Sequence, residues 1–155
     1  MADATLKTLW VLHGVNLDML GQRDPDVYGT LTLPELEDYV RERGEEQGFV
    51  VHSYQTNHEG DLVEKLHQLS CEGAGAVIVN PGAWTHYSYA LRDALELVDA
   101  PIAEVHLSDV ERREPWRRVS VIADVVDVRV HGKGAQGYAD AVAALAALVR
   151  EGGRA

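Results

Sequence analysis

Three stretches of the chain carry side chains whose types and spacing could do chemistry. In residues 14–29, GVNLDMLGQRDPDVYG, Asn16, Arg23 and Tyr28 fall within thirteen positions. In residues 76–95, AVIVNPGAWTHYSYALRDAL, the polar side chains Asn80, Thr85, His86 and Ser88 follow directly on an apolar run. In residues 106–118, His106 precedes Arg112, Arg113, Arg117 and Arg118. Imidazole titrates near neutrality, so either His86 or His106 could serve as an acid or a base. A free tyrosine, with a pKa of about 10, is only about 0.1% ionised at pH 7, so it acts as a base only if something favours its anion. A guanidinium within about 4 to 6 Å can do so, and Arg23 and Tyr28 are near enough in sequence to meet. The plainer reading, a solvated arginine and a tyrosine packed under a loop, is the one the two residues alone prefer. The four arginines read either as a basic face paired with Glu111 and Glu114 or as a clamp for a carboxylate or phosphate. Their place after His106, in a chain of net charge -11, favours the clamp.

These groups need elements to hold them. Residues 76–79 are continuously apolar and β-rich, as in a central parallel strand covered on both faces. Asn80-Pro81-Gly82 stops that strand, and Tyr87, Leu91, Ala94, Leu95 and Val98 then mark the buried face of a helix. Residues 8–13, 49–55, 101–106 and 127–131 read as further strands. Thr32 and Glu35 form a capping box opening a helix with Leu36, Tyr39 and Val40 inside. Leu62, Val63, Leu66 and Leu69 mark a second helix, and Tyr138, Val142, Leu145 and Val149 a closing one. Residues 120–126 have the spacing of a short helix. Alternation of five strands with helices predicts an α/β fold, a flavodoxin-like three-layer sandwich on a five-stranded parallel sheet of order 2-1-3-4-5. Its switch point, between strands one and three, is where ligands bind in open α/β sheets. That puts the loop at residues 14–29, the Asn80 turn and the end of strand four side by side.

Composition bounds the rest. The 155 residues fit a single domain spanning 1–155, with a frayed tail at 151–155. The acidic balance argues against a nucleic-acid partner. Cys71 is alone, so no disulfide framework or cysteine-rich zinc site is expected. Neither a signal peptide nor a membrane-length apolar run is present, which points to a soluble cytoplasmic protein with no membrane partner. Among the seven histidines there is no HExxH, no metal is expected, and His13, His52, His58, His67 and His131 read as surface or packing residues. Gly132-Lys133-Gly134-Ala135-Gln136-Gly137 matches GxGxxG, but the chain ends before the acidic residue a dinucleotide site needs about 20 positions on, so it reads as a tight turn into a helix.

Five motifs in register, GVNLDMLGQRDPDVYG, YQTNHEG, VNPGAWTHYSYALRDAL, EVHLSDVERREPW and HGKGAQGY, resemble the type II dehydroquinases, the 3-dehydroquinate dehydratases of the shikimate pathway. The resemblance runs from about Leu9 to Leu148. It implies a cofactor-free anti elimination of water from 3-dehydroquinate through an enolate, by trimers assembled into dodecamers. By motif match, Tyr28 is the base, with Arg23 favouring its anion and Arg113 a second candidate for that task. Asn16 stabilises the enolate oxygen through a water. His106 is the acid for the departing C1 hydroxyl, oriented by Glu104, with Asn80 contacting the same hydroxyl. Ser108 and the Leu107 backbone hold the carboxylate, His86 and Arg117 grip the ring hydroxyls, and Asp93 arrives from a neighbouring subunit. The other solution to this reaction uses a lysine imine, and Lys7, Lys65 and Lys133 all lie outside the cluster. Against the family pattern, Val15 replaces a proline, Asp18 and Asp109 replace asparagines, Glu111 replaces a histidine, and Tyr87 replaces a threonine. The alternatives are a lyase for a related cyclic hydroxy-acid and a binding protein that has lost turnover.

Overall fold

In the computed structural model, residues 7–152 are described. The N-terminal stretch read as lacking a leader and the end of the tail lie outside them, apart from Lys7 and a turn at Glu151 and Gly152. Five strands, β1 (Thr8–His13), β2 (Val50–Gln55), β3 (Ala76–Asn80), β4 (Ile102–His106) and β5 (Val128–His131), form one parallel sheet in the order β2-β1-β3-β4-β5, as expected.

The sheet's two faces follow from strand alternation. On one side Leu9, Val11, Ile78, Ala103 and Val105 pack against α2 (Leu33–Glu46) and α5 (Ala135–Arg150) through Leu36, Val40, Tyr138, Val142 and Leu145. On the other, Leu12, Val77, Val79 and Ile102 pack against α3 (Glu59–Glu72) and α4 (Tyr89–Glu96) through Leu62, Leu66, Leu69, Leu91 and Leu95. β3 and β4 are buried at every position, because helices cover both faces. Thr32 caps α2 as its sequence implied, accepting from the Glu35 N–H at 3.4 Å. Glu35 reaches back to the Thr32 hydroxyl rather than to its backbone.

Two expectations need correction. Tyr87 is not on a buried helical face: it is 58% exposed and precedes α4. After Pro81 the chain first winds through a 3-10 turn, Gly82–His86, and α4 begins only after Ser88, whose hydroxyl accepts from the Leu91 N–H. Residues 120–126 form no continuous helix either. Only Ala123–Val125 makes a 3-10 turn, since this stretch serves to cover the sheet beside β4 rather than to present a helical stripe. The Gly132–Gly137 segment is the tight turn into α5 that the dinucleotide reading was set aside for, with Gly132 and Gly134 at positive φ.

Residues 14–29 are a loop with two short pieces of structure, a 3-10 turn at Leu17–Met19 and the four-residue helix α1 (Pro25–Tyr28), capped by the Asp24 carboxylate. The loop springs from β1 at Gly14, where a Cβ would sit 2.4 Å from the Pro81 carbonyl oxygen. Only glycine lets the β1 and β3 ends approach this closely, and the contact is sealed by the Gly14 N–H donating to the Asn80 carbonyl at 2.8 Å.

Candidate active site

The carboxyl ends of β1, β3 and β4 open into one cavity. Its walls are Asn16, Arg23 and Tyr28 from the first loop, Asn80 and His86 from the β3 turn, and His106, Leu107, Ser108, Arg113 and Arg117 from β4 and its loop. Three stretches far apart in sequence, from Asn16 to Arg117, therefore meet at the switch point.

On one wall Tyr28 lies between two guanidinium groups. Arg23 Nη2 donates to Tyr28 Oη at 2.8 Å, and its guanidinium carbon stands 3.7 Å from the ring centroid. Arg113 lies 5.1 Å from the same ring and donates to Ser108 Oγ at 3.3 Å. One positive charge thus sits at the oxygen where a tyrosinate would carry its negative charge, and a second lies beside the ring. Asn16 has φ 68°, the one positive value outside glycine among the described residues. Asparagine tolerates this region better than most side chains. The Asn57 side chain holds the geometry, accepting from the Asn16 N–H at 2.9 Å while donating to Asp18 at 3.0 Å. Asp18, an asparagine elsewhere in the family pattern, thereby anchors the loop.

The same cavity is lined by His106, whose ring Nε2 donates to Glu104 Oε2 at 2.6 Å. Glu104 is fully buried. Burial alone would raise its carboxyl pKa, but the His106 hydrogen bond and charge, the Thr85 hydroxyl and Arg129 together outweigh that and hold it at about 2. Thr85 Oγ1 donates to Oε2 at 2.6 Å, Ser120 Oγ to Oε1 at 2.9 Å, and Arg129 Nε to Oε1 at 3.2 Å. A carboxylate so held orients the imidazole through Nε2.

His86 donates from Nδ1 to the Val119 carbonyl at 2.7 Å and stacks 6.5 Å from His106. Its pKa is lowered by burial first, a shift that the Val119 carbonyl opposes and His106 and Arg117 reinforce, so it enters the site neutral, with Nδ1 engaged and Nε2 free to accept. Asn80 is buried, its amide donating to Tyr138 Oη at 3.1 Å and its oxygen accepting from the Gly82 N–H at 3.1 Å.

Of the predicted residues, Glu104 sits behind the cavity rather than in its wall, and Asp93, on α4, does not line it. Arg112 points outward and pairs with Asp109 at 3.3 Å, and Arg118 donates to the Glu111 carbonyl. Of the four arginines only Arg113 and Arg117 reach the cavity, and Arg117 pairs with Glu114 as the basic-face reading had it. Asp109 pairs with Arg112, and its Oδ1 lies 3.3 Å from His131 Nδ1. Thr85 stood in the expected crevice, but Asn57, Ser120, Arg129 and Tyr138 were given no role in sequence. The available signal for Arg129 was strand register, since β5 pairs Arg129 with Glu104. Among the described residues no group of three or more histidine, cysteine or acidic side chains could hold a metal ion.

The family model for Dehydroquinase class II matches residues 7–146. The chain belongs to that family. It is 44% identical to the 3-dehydroquinate dehydratase of Pelobacter propionicus over 147 residues, 95% of this chain and 99% of the relative. With the corresponding protein of Pelotomaculum thermopropionicum it shares 49% identity over 90% of this chain and 96% of the relative. The crystal structure of type II dehydroquinase from Propionibacterium acnes superposes with a TM-score of 0.87 at 39% identity, covering 91% of this chain and 97% of that one. The type II dehydroquinase of Butyrivibrio crossotus gives 0.88 at 36% identity, covering 92% and 99%. The flavodoxin-like topology expected from the sequence is thus that of the dehydroquinase family.

Proposed function

We infer that this chain is a 3-dehydroquinate dehydratase of the shikimate pathway, a hydro-lyase removing water from 3-dehydroquinate in the anti sense through an enolate. The observation that carries this reading is that one cavity is lined both by Tyr28, which is hydrogen-bonded by the Arg23 guanidinium, and by His106, which is backed by the buried Glu104 carboxylate. An elimination beside a ketone needs a base on one side, an acid on the other, and something to stabilise the enolate between them.

Tyr28, as tyrosinate, takes the proton beside the ketone, and that bond's electron pair passes into the enolate. Asn16 stabilises the enolate oxygen through a water. The enolate then collapses to the conjugated enone as the C1–O bond breaks, and His106 protonates the departing hydroxyl, which leaves as water. Asn80 contacts that hydroxyl, Ser108 and the Leu107 backbone hold the substrate carboxylate, and His86 and Arg117 take the ring hydroxyls. Arg113 steadies Ser108 and adds charge beside Tyr28. Each positioned acid or base is worth about 10²- to 10⁴-fold in rate.

The reading extends to a cofactor-free, cytoplasmic enzyme whose dehydroquinase-like domain occupies residues 1–155. It assembles as a dodecamer built from trimers, in which Asp93 of one subunit completes a neighbour's site. The place of Asp93 on α4, away from its own chain's cavity, supports that division of labour.

Ultraviolet absorbance tests the function, because the product is a conjugated enone and 3-dehydroquinate is not. The protein should raise the absorbance steadily, insensitive to borohydride, and Tyr28→Phe should lose at least about 10²-fold in kcat while still binding substrate. A flat trace from the folded wild-type protein would replace this reading with the binding protein or the lyase of a related hydroxy-acid.

A further inference from the structure

One charged side chain touches the acid pair without lining the cavity. β5 runs parallel to β4 with Arg129 in register with Glu104 and His131 with His106, while Val128 and Val130 turn to the opposite face and join its core. Arg129 therefore stands beside Glu104, donating from Nε to Oε1 at 3.2 Å. The same oxygen accepts from Ser120, while Oε2 accepts from Thr85 and His106. The guanidinium makes little of its other nitrogens: Nη1 is 3.9 Å from Glu111, and Nη2 is buried with no hydrogen-bond partner among the described residues.

An arginine that leaves a buried nitrogen unsatisfied costs free energy. Two hydroxyls and the imidazole already supply the Glu104 carboxylate with donors, so what Arg129 adds is charge. That charge matters to a general acid, which has to release its proton as well as hold it. A buried carboxylate with no second cation beside it holds a neighbouring proton more firmly than a paired one does.

We propose that Arg129 is a positioning residue for proton donation, pinning Glu104 Oε1 so that Oε2 stays turned to His106 and offsetting the carboxylate charge enough for His106 to release its proton. This rests on the reading of His106 as the acid. The other charged and titratable groups around the pair are His86 from the β3 turn, Arg117 beside it, Asp109, Glu111 and Arg113 from the loop after β4, and His131 from β5, which is engaged by Asp109.

The test is the pH profile of 3-dehydroquinate turnover in Arg129→Gln and Arg129→Lys. Glutamine keeps a donor for Oε1 and removes the charge. It should lower kcat about tenfold or more, leave KM within about twofold, and move the basic limb of the kcat profile upward by about one pH unit. Lysine should keep the limb where the wild type has it. A fall in kcat with an unmoved limb would reduce Arg129 to a structural residue, and wild-type kcat and limb in Arg129→Gln would overturn the proposal altogether. If Arg129→Gln does not fold, Arg129→Ser, which admits water to the carboxylate, is read by the same two criteria. His106→Asn run alongside separates the premises: if it turns over normally the acid assignment fails, whereas wild-type protein inert toward 3-dehydroquinate fails the functional reading itself.

Discussion

Replacing His13 with leucine should make the protein more resistant to acid. His13 is fully buried at the end of β1, on the face covered by α2 and α5, 6.5 Å from the Tyr138 ring. Neither ring nitrogen has a hydrogen-bond partner among the described residues. Glu37 Oε1, 3.5 Å from Nε2, is near enough to attract a protonated ring but makes no hydrogen bond to the neutral one. Burial lowers the His13 pKa from 6.5 to about 4. Because the folded value lies below the unfolded one, the unfolded chain binds more protons between them, and stability falls as pH drops. The contribution is intact above pH 6.5 and lost by about pH 4. The full difference corresponds to about 3 kcal/mol, of which about 2 kcal/mol has gone by pH 5. Leucine has similar bulk, does not titrate, and sacrifices no hydrogen bond. Urea unfolding of both proteins at pH 7 and pH 5, at one protein concentration, should show the variant losing about 2 kcal/mol less between the two. Glu104 loses its contribution between 4.5 and about 2, mostly below this range and equally in both proteins. Parallel losses for wild type and His13→Leu would refute the reasoning.

Glu104→Gln should reduce kcat by about 10²-fold with a normal circular dichroism spectrum. The amide has one acceptor oxygen for the four donors now on the carboxylate, and its NH₂ would face His106 Nε2 and impose the wrong tautomer. Activity within a few-fold of wild type would show that the carboxylate does not orient the acid. Light scattering should give a large oligomer, and Asp93→Ala should raise KM severalfold without dissociating it. A monomer with undiminished turnover would remove Asp93 from the site.

Much of the fold was legible because its signals are local. The apolar run at residues 76–79, the capping pair Thr32 and Glu35 and the periodic apolar residues of α3 and α5 each specify an element from neighbouring residues alone. Right-handed crossovers narrow the strand order, and the sheet has the flavodoxin-like one expected. Tyr87 misled for the same reason: its spacing fits the α4 stripe, but the Ser88 cap and the 3-10 turn before it set where the helix begins.

By itself the sequence determined which side chains could act, since Tyr28, Arg23, His106 and Asn16 are marked by residue type and by motifs short enough to read. What it left open was whether Arg23 meets Tyr28 or solvent, and which of four arginines belongs to the cavity. Only the tertiary structure decided these, because they depend on contacts between segments far apart in the chain. Arg129 reaches Glu104 through strand register, Tyr138 steadies Asn80 from a different helix, and Asn57 sets the Asn16 backbone from across the β1–β2 edge. No spacing within one segment encodes such pairings, because packing the two helical layers onto the sheet is what brings them within bonding distance.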